Sequence, residues 1–346
     1  MSGSVGCYKG SWYVRWWDRL NQKDVKIYRY NGFKLESQRM ADKLLLAMQT
    51  DVEKGTFYLE KYKKPGFSDT INFIENWLDS IDGLSPATHK GYKSYIKNHI
   101  KPFFVKHSHL SLPDIQIDVL RKFRKGMEKK GLSPKMQWNV MFCLHAILHT
   151  AWESRRIQNM PPFPRKKEYS FVEKKIEWLP ESRQLFVIEQ IPEIHQPIFY
   201  FLKYHLRRPG EAIALHKEDY EDGVFTIRRS VSARKVVNKT KTGEIHTIPC
   251  HPDFEQYIEK EKRKFPFSPF FFTNPAARRK GKRYTNEVLN IIWKAACKKA
   301  GEDIDLYSGL KHSSCSQYIN EKGLSESELQ IITDHANLKS VKHYAK

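Results

Sequence analysis

Apolar residues change period along this chain, and the changes mark out its elements. In the first 32 residues the stretches GCYKG, WYVRWW and VKIYRY alternate aromatic or β-branched positions with polar and basic ones. A period of two predicts half-buried strands. Between residues 36 and 53 the spacing of Met40, Leu44, Leu45 and Met48 switches to the helical period. Three strands and a helix thus make a small first module. EKYKKPGFSD, residues 60–69, is polar and broken by Pro65 and Gly66, and reads as a linker. Helical spacing then fills 69–80, 86–106, 114–130 and 133–157, with starts at Ser85-Pro86, Pro113-Asp114 and Ser133-Pro134. A proline-rich linker, NMPPFPRKKEYSF at 159–171, opens a mixed region. Its predicted helices are 180–190, 194–206, 210–216, 251–263, 284–300, 308–322, 325–334 and 337–345, and its predicted strands 223–229 and 244–249.

The expected fold class is mixed α+β and multidomain. Residues 1–58 form a small three-stranded sheet with a helix, and 68–158 a four-helix domain. Residues 172–346 form a mostly helical domain with a small β-sheet or hairpin. A chain of 346 residues has room for these three units.

Charge narrows the function. Sixty Lys and Arg face 39 Asp and Glu, a formal charge of +21. The excess is positive in each of the segments 1–64, 65–165 and 166–346. A polyanion that touches every domain, such as a wrapped duplex, suits this better than a membrane surface. The five cysteines are scattered, odd in number and without a CxxC pair, which disfavours a disulfide framework or a zinc site and suits a reducing compartment. No run of 18 apolar residues and no apolar leader core is present. The expectation is a cytoplasmic protein with no membrane partner.

The basic residues offer two kinds of candidate surface. Lys9, Arg15, Arg19, Lys26 and Arg29 decorate the first strands, either to enter a DNA groove or to keep an edge-rich sheet soluble. Lys90, Lys93, Lys97, Lys101 and Lys106 follow one helix, either as a solvated face or as a phosphate track.

Four stretches of the last region carry candidate chemistry. HLRRPGEAIAL places Arg207 and Arg208 at the mouth of a helix, with Glu211 in its first turn. A cation there opposes the helix dipole, unless the site is built to hold an anion. KTKTGEIHTIP, at 239–249, reads as a hairpin with Gly243 at the turn and Lys241 near the tip. LYSGLKHSS opens a helix at 306–314, and His335 stands nine residues before Tyr344.

Taken in this order and spacing, the four stretches resemble the boxes of the tyrosine recombinase (phage integrase) family. RRPGEAIAL resembles the first arginine box and KTKTGEIHTIP the hairpin lysine. SGLKHSS resembles the His-x-x-Arg box, often H-x-L-R-H, and DHANLKSVKHY the His…Tyr box. The resemblance extends over nearly the whole chain, with 1–57 similar to the arm-type DNA-binding domain and 68–158 to the core-binding domain. It implies cleavage and rejoining of double-stranded DNA through a 3′-phosphotyrosine, with Tyr344 as nucleophile. Arg208, Lys311 and His335 would lie on the scissile phosphate, Lys241 would protonate the leaving 5′-oxygen, and Glu211 would orient the loop. It further implies no cofactor and no metal, a homotetramer on DNA, and accessory DNA-bending proteins. Two positions depart from the family's pattern. Ser308 stands where His is usual and cannot act as an acid or base near neutral pH. Lys311 stands where Arg is usual, and loss of the guanidinium fork takes about 2–4 kcal/mol from transition-state binding. A weakly active or inactive relative acting as an architectural or regulatory DNA-binding factor is the alternative.

Overall fold

The computed structural model describes residues 3–344, apart from 20–21, 31–32, 56, 58, 60–61, 63–66, 109, 172–175, 239, 241–242, 334–337 and 339–340. The chain forms two compact units, Met1–Val172 and Glu173–Lys346. No helix among the described residues is long and apolar enough to cross a membrane.

The first unit contains two separate apolar clusters. Strands β1 (Gly3–Tyr8), β2 (Ser11–Asp18) and β3 (Lys23–Ile27) pair antiparallel in the order β1-β2-β3. Lys9 and Gly10, both at positive φ, turn the first hairpin, the backbone a tight two-residue turn requires. Val5 and Ile27 flank Val14 across the sheet. Val14, Trp16 and Ile27 are buried against helix α1 (Gln38–Glu53). The helix turns Ala41, Leu44 and Met48 inward, whereas Met40, expected in the core, is exposed. Ala41 takes that place, since both residues fit a helical stripe with Leu44 and Met48 and the packing against the sheet selects the smaller one. Two short strands, β4 (Arg29–Tyr30) and β5 (Phe33–Lys34), pair beside this sheet.

The remainder of the first unit is helical, with α2 (Phe67–Trp77), α3 (Pro86–Tyr95), α4 (Lys101–Lys106), α5 (Ile117–Lys129) and α6 (Pro134–Glu153). Ser85 and Ser133 cap α3 and α6, each accepting from the backbone three residues on. The expected single helix at 86–106 is interrupted by a π turn over Ile96–Ile100. Pro102 supplies no N–H, and the Lys101 N–H reaches back to the Ile96 carbonyl, closing the wider turn. Pro113-Asp114, expected to start a helix, belongs instead to a 3₁₀ turn held by Asp114 accepting from the Ser111 N–H at 2.8 Å.

The second unit packs helices α7 (Glu181–Glu189), α8 (Gln196–Tyr204), α9 (Pro209–Ala214), α10 (Pro252–Arg263) and α11 (Asn286–Ala300). Strands β6 (Tyr220–Glu221), β7 (Val224–Ile227) and β10 (His246–Pro249) form a sheet in the order β10-β7-β6. Strands β8 (Ser230–Ser232) and β9 (Lys235–Val237) form a hairpin of their own. Of the hairpin expected at 239–249, residues 239, 241 and 242 lie outside the described residues. Its second arm, His246–Pro249, pairs with Val224–Ile227. The chain ends in a π turn over Ser308–His312, α12 (Ser313–Asn320), α13 (Glu326–Thr333) and a 3₁₀ turn over Lys342–Tyr344.

Phe201, Phe225, Phe254, Phe271 and Phe272 form the buried aromatic centre of this unit. The rings of Phe201 and Phe225 meet edge-on at 5.1 Å. Phe225→Ala leaves a cavity among these rings, and a loss of about 3–5 kcal/mol is expected. Denaturant unfolding of the full chain measures it, and a loss below about 1 kcal/mol would mean that the sheet is not anchored on this cluster.

Candidate active site

The site grows from a kink. Leu206 follows α8 at φ 53, a left-handed backbone uncommon for a branched residue. Its side chain is buried with Cys315, Leu329, Val341 and Tyr344, which holds the kink in place. The two following arginines then have different partners. Arg207 is buried and donates from Nε to the His205 carbonyl at 2.7 Å and from a terminal nitrogen to the Ile332 carbonyl. It ties the kink to the end of α13.

Arg208 takes the N-cap position of α9, ahead of Pro209. The Glu211 carboxylate accepts the Arg208 backbone N–H at 3.0 Å and its guanidinium at 2.9 Å. Burial disfavours charge on Arg208, but Glu211 and the Tyr307 hydroxyl outweigh it and raise its pKa. Burial likewise pushes Glu211 up, and Lys311 and Arg208 more than reverse the effect, so it stays ionised. Gly210 lies where a Cβ would come within 3.0 Å of the Val231 carbonyl, so the β8–β9 hairpin closes on the start of α9.

Lys311 comes from the π turn and is 1% exposed. Its Nζ has no hydrogen-bond partner among the described residues. Burial and the neighbouring Arg208 lower its pKa to about 8, against the partial support of Cys315 and Glu211. A buried ammonium with no acceptor is costly, and an anion beside it removes the cost.

Tyr344 is buried in the same cluster as Leu206. Its hydroxyl lies 2.9 Å from His312 Nδ1, and its carbonyl accepts from Asn320 at 2.8 Å. Burial, first of all, pushes its phenol pKa up. Ser308 has other work, because its hydroxyl donates to Asp305 at 2.6 Å and its N–H to the same carboxylate at 3.0 Å. The structure thus brings Arg208, Glu211, Lys311 and Tyr344 into one setting and leaves Ser308 capping a turn. Lys241 and His335 lie outside the described residues. His312 and Tyr307 were not among the expected site residues. The family's H-x-L-R-H pattern, which ends in His at the place of His312, was the available signal.

The sequence matches the phage integrase family model over residues 184–346. It also matches the model of the phage integrase N-terminal SAM-like domain over residues 72–127. The chain belongs to the phage integrase family. Family members are tyrosine recombinases, enzymes of site-specific recombination. No curated protein sequence matches the chain. In fold it is similar to the Tn1549 transposon integrase in complex with a circular intermediate DNA, with a TM-score of 0.66 and 14% identity over 80% of this chain and 94% of that one. It is similar also to a lambda integrase dimer bound to a COC′ core site, with a TM-score of 0.59 and 16% identity over 99% and 94%. A lambda integrase tetramer bound to a Holliday junction gives 0.61 and 15% over the same shares.

The basic surface candidates of the first unit divide in the same way. Arg15 and Lys26 are cross-strand partners on the outward face of the sheet. Arg15 pairs with Asp24, and Lys26 lies 4.9 Å from the Tyr13 ring. Trp17 and Tyr28 are exposed on the same face. Lys9 sits in the first turn, Arg19 just past β2 and Arg29 on β4. Lys90, Lys93 and Lys97 are all exposed. Lys106, on the expected lysine track, lines a recess together with Arg121, Lys122, Lys125, Lys129 and Lys130, which were not among the expected sites.

The Lys311 environment gives a test by pH. Unfolded, this amine keeps its proton up to the ordinary lysine value of 10.5, but folded only up to about 8. Between those values the unfolded state binds more protons, so stability rises with pH across that window. Lys311→Met abolishes this rise and adds about 1–3 kcal/mol at neutral pH. Denaturant unfolding of both proteins on either side of pH 8 checks it, and identical pH dependence would show that Lys311 is not buried as a charge.

Proposed function

We propose that this chain is an active site-specific recombinase that cuts and rejoins double-stranded DNA through a 3′-phosphotyrosine at Tyr344. The observation that carries the reading is the buried Lys311 amine beside Arg208, without a partner among the described residues, in the unit that also holds Tyr344. A phosphodiester is an anion that Lys311 and Arg208 can hold together. Arg208 grips the non-bridging oxygens through its fork, held by Glu211, and Lys311 adds a point charge. The Tyr344 oxygen attacks phosphorus, the bond to the 5′-oxygen breaks, and Lys241 protonates that oxygen as it leaves. His335 donates to a non-bridging oxygen. No cofactor or metal takes part in this scheme.

In this reading residues 1–58 are an arm-type DNA-binding module, with Lys9, Arg15, Arg19, Lys26 and Arg29 facing a groove. Residues 68–158 bind the core site, with Lys90, Lys93 and Lys97 on phosphates, and 172–346 catalyse. The lambda integrase dimer and tetramer bound to DNA support an assembly of four protomers on DNA. In this reading the assembly works in the cytoplasm, with accessory DNA-bending proteins as further partners. The engagement of Ser308 with Asp305, together with lysine in place of arginine at 311, favours a second reading. In that reading the chain is a weak or inactive relative that organises DNA.

Tyr344→Phe separates the two. Nicked core-site DNA, recovered from genomic fragments that the protein binds, is the substrate. Wild type is expected to leave a peptide on the DNA 3′ end, and Tyr344→Phe to leave none while binding DNA as tightly. Absence of an adduct from wild type on every bound site supports the architectural reading. Binding itself should weaken steeply with salt, and a log–log slope shallower than about −3 contradicts contacts from all three basic segments.

A further inference from the structure

The proposed nucleophile needs a base, and Ser308, which stands where His is usual, cannot act as one near neutral pH and is bound to Asp305. From the position of His312 we infer that its Nδ1 accepts the Tyr344 phenol proton as the phosphotyrosine forms and returns it when the strand is rejoined. The inference rests on the recombinase reading above and adds a catalytic residue to it.

Three observations carry it. The first is contact: Nδ1 and the Tyr344 hydroxyl are 2.9 Å apart, a direct path for a proton. The second is the way the ring is held. His312 stands edge-on to the Tyr307 ring at 4.7 Å and 44° to the Tyr344 ring at 5.4 Å. The third is the chemistry of the neighbours. Cys315, beside the phenol, is a thiol that burial keeps protonated up to about 11. Arg208 and Lys311 are cations, and Ser308 donates its own proton to Asp305. Burial and Lys311 lower the His312 pKa below its ordinary value against the pull of Asp305, so the ring is neutral near pH 7 with a lone pair available.

The step balances. The phenol O–H bond breaks and an N–H bond forms on His312, while the oxygen's electron pair makes the new bond to phosphorus. The bond from phosphorus to the 5′-oxygen breaks, and that oxygen takes a proton from Lys241. On rejoining, the 5′-hydroxyl attacks, the tyrosine oxygen departs, and His312 gives the proton back. The missing family histidine at 308 is thereby replaced from four residues away on the same π turn.

His312→Asn keeps a hydrogen-bonding atom near the position of Nδ1 but cannot hold a proton at neutral pH. The full-length variant, wild type and Lys241→Ala are compared for single-turnover adduct formation on nicked core-site DNA. A second substrate carries sulfur in place of the leaving 5′-oxygen. His312→Asn is expected to bind DNA within about twofold of wild type and to form adduct about 10²- to 10⁴-fold more slowly. The sulfur substrate should rescue Lys241→Ala but not His312→Asn, since the lost step is on the attacking side. Added imidazole should speed adduct formation by His312→Ala in proportion to its neutral form. An adduct rate for His312→Asn near that of wild type overturns the inference and leaves the recombinase reading intact. A wild type that forms no adduct at Tyr344 overturns both.

Discussion

One carboxylate, Glu211, faces more buried positive charge than it can neutralise. It binds Arg208 through both the backbone and the guanidinium, and it feels Lys311 as well. Arg207, buried nearby, spends its donors on backbone carbonyls. The Lys311 amine is buried with no acceptor among the described residues. Such an arrangement works against folding. It becomes favourable when an anion with several oxygens enters, because every unsatisfied donor then gains a partner at once. Among the described residues of the second unit, Arg208 and Lys311 thus form a setting suited to a ligand of the opposite sign.

Lysine at 311 suits this pocket in a way arginine does not. An arginine keeps its charge at any accessible pH, whereas a lysine with a pKa near 8 can share the cost between charge and burial. The same exchange loses the fork that fixes a phosphate in two directions. Arg208 keeps that fork, and Glu211 holds it in orientation, so the directional part of anion binding falls on one side of the site. Glu211 is itself nearly buried and kept ionised by the cations it orients, so removing any member of the trio alters the other two.

Much of this was legible in the sequence, because strong periodicity and capping residues survive folding. The three strands, α1, and the helices that begin at Ser85-Pro86 and Ser133-Pro134 appear where their patterns place them. The misses have local causes. Met40 and Ala41 both fit a helical stripe, and only the packing of the sheet chooses between them. Pro102 turns a straight helix into one with a π turn, which apolar spacing does not reveal. The pairing of β10 with β7 is a long-range choice, and Gly243 marks a turn without naming the strand's partner. At the site, motif order selected Arg208, Glu211, Lys311 and Tyr344. Sequence order could not show that the Ser308 hydroxyl is bound by Asp305 or that His312 meets Tyr344, since both depend on the direction of side chains in the Ser308–His312 turn.

That turn explains how Lys311 and His312, neighbours in sequence, both serve one site. Successive residues of an α-helix point about 100° apart, and a regular helix would send one of them away. A π turn widens the spiral and reduces the angle between neighbours. Gly309 sets the turn in place. A Cβ there would come within 2.3 Å of the Trp293 ring, so the backbone lies against buried indole. Ser313 fixes the far end by donating to the Ser308 carbonyl at 2.7 Å, and Asp305 fixes the near end by accepting from Ser308. Ser308, no base in itself, has a structural task here. Its bond to Asp305 holds the turn that delivers a buried amine from one residue and an imidazole from the next.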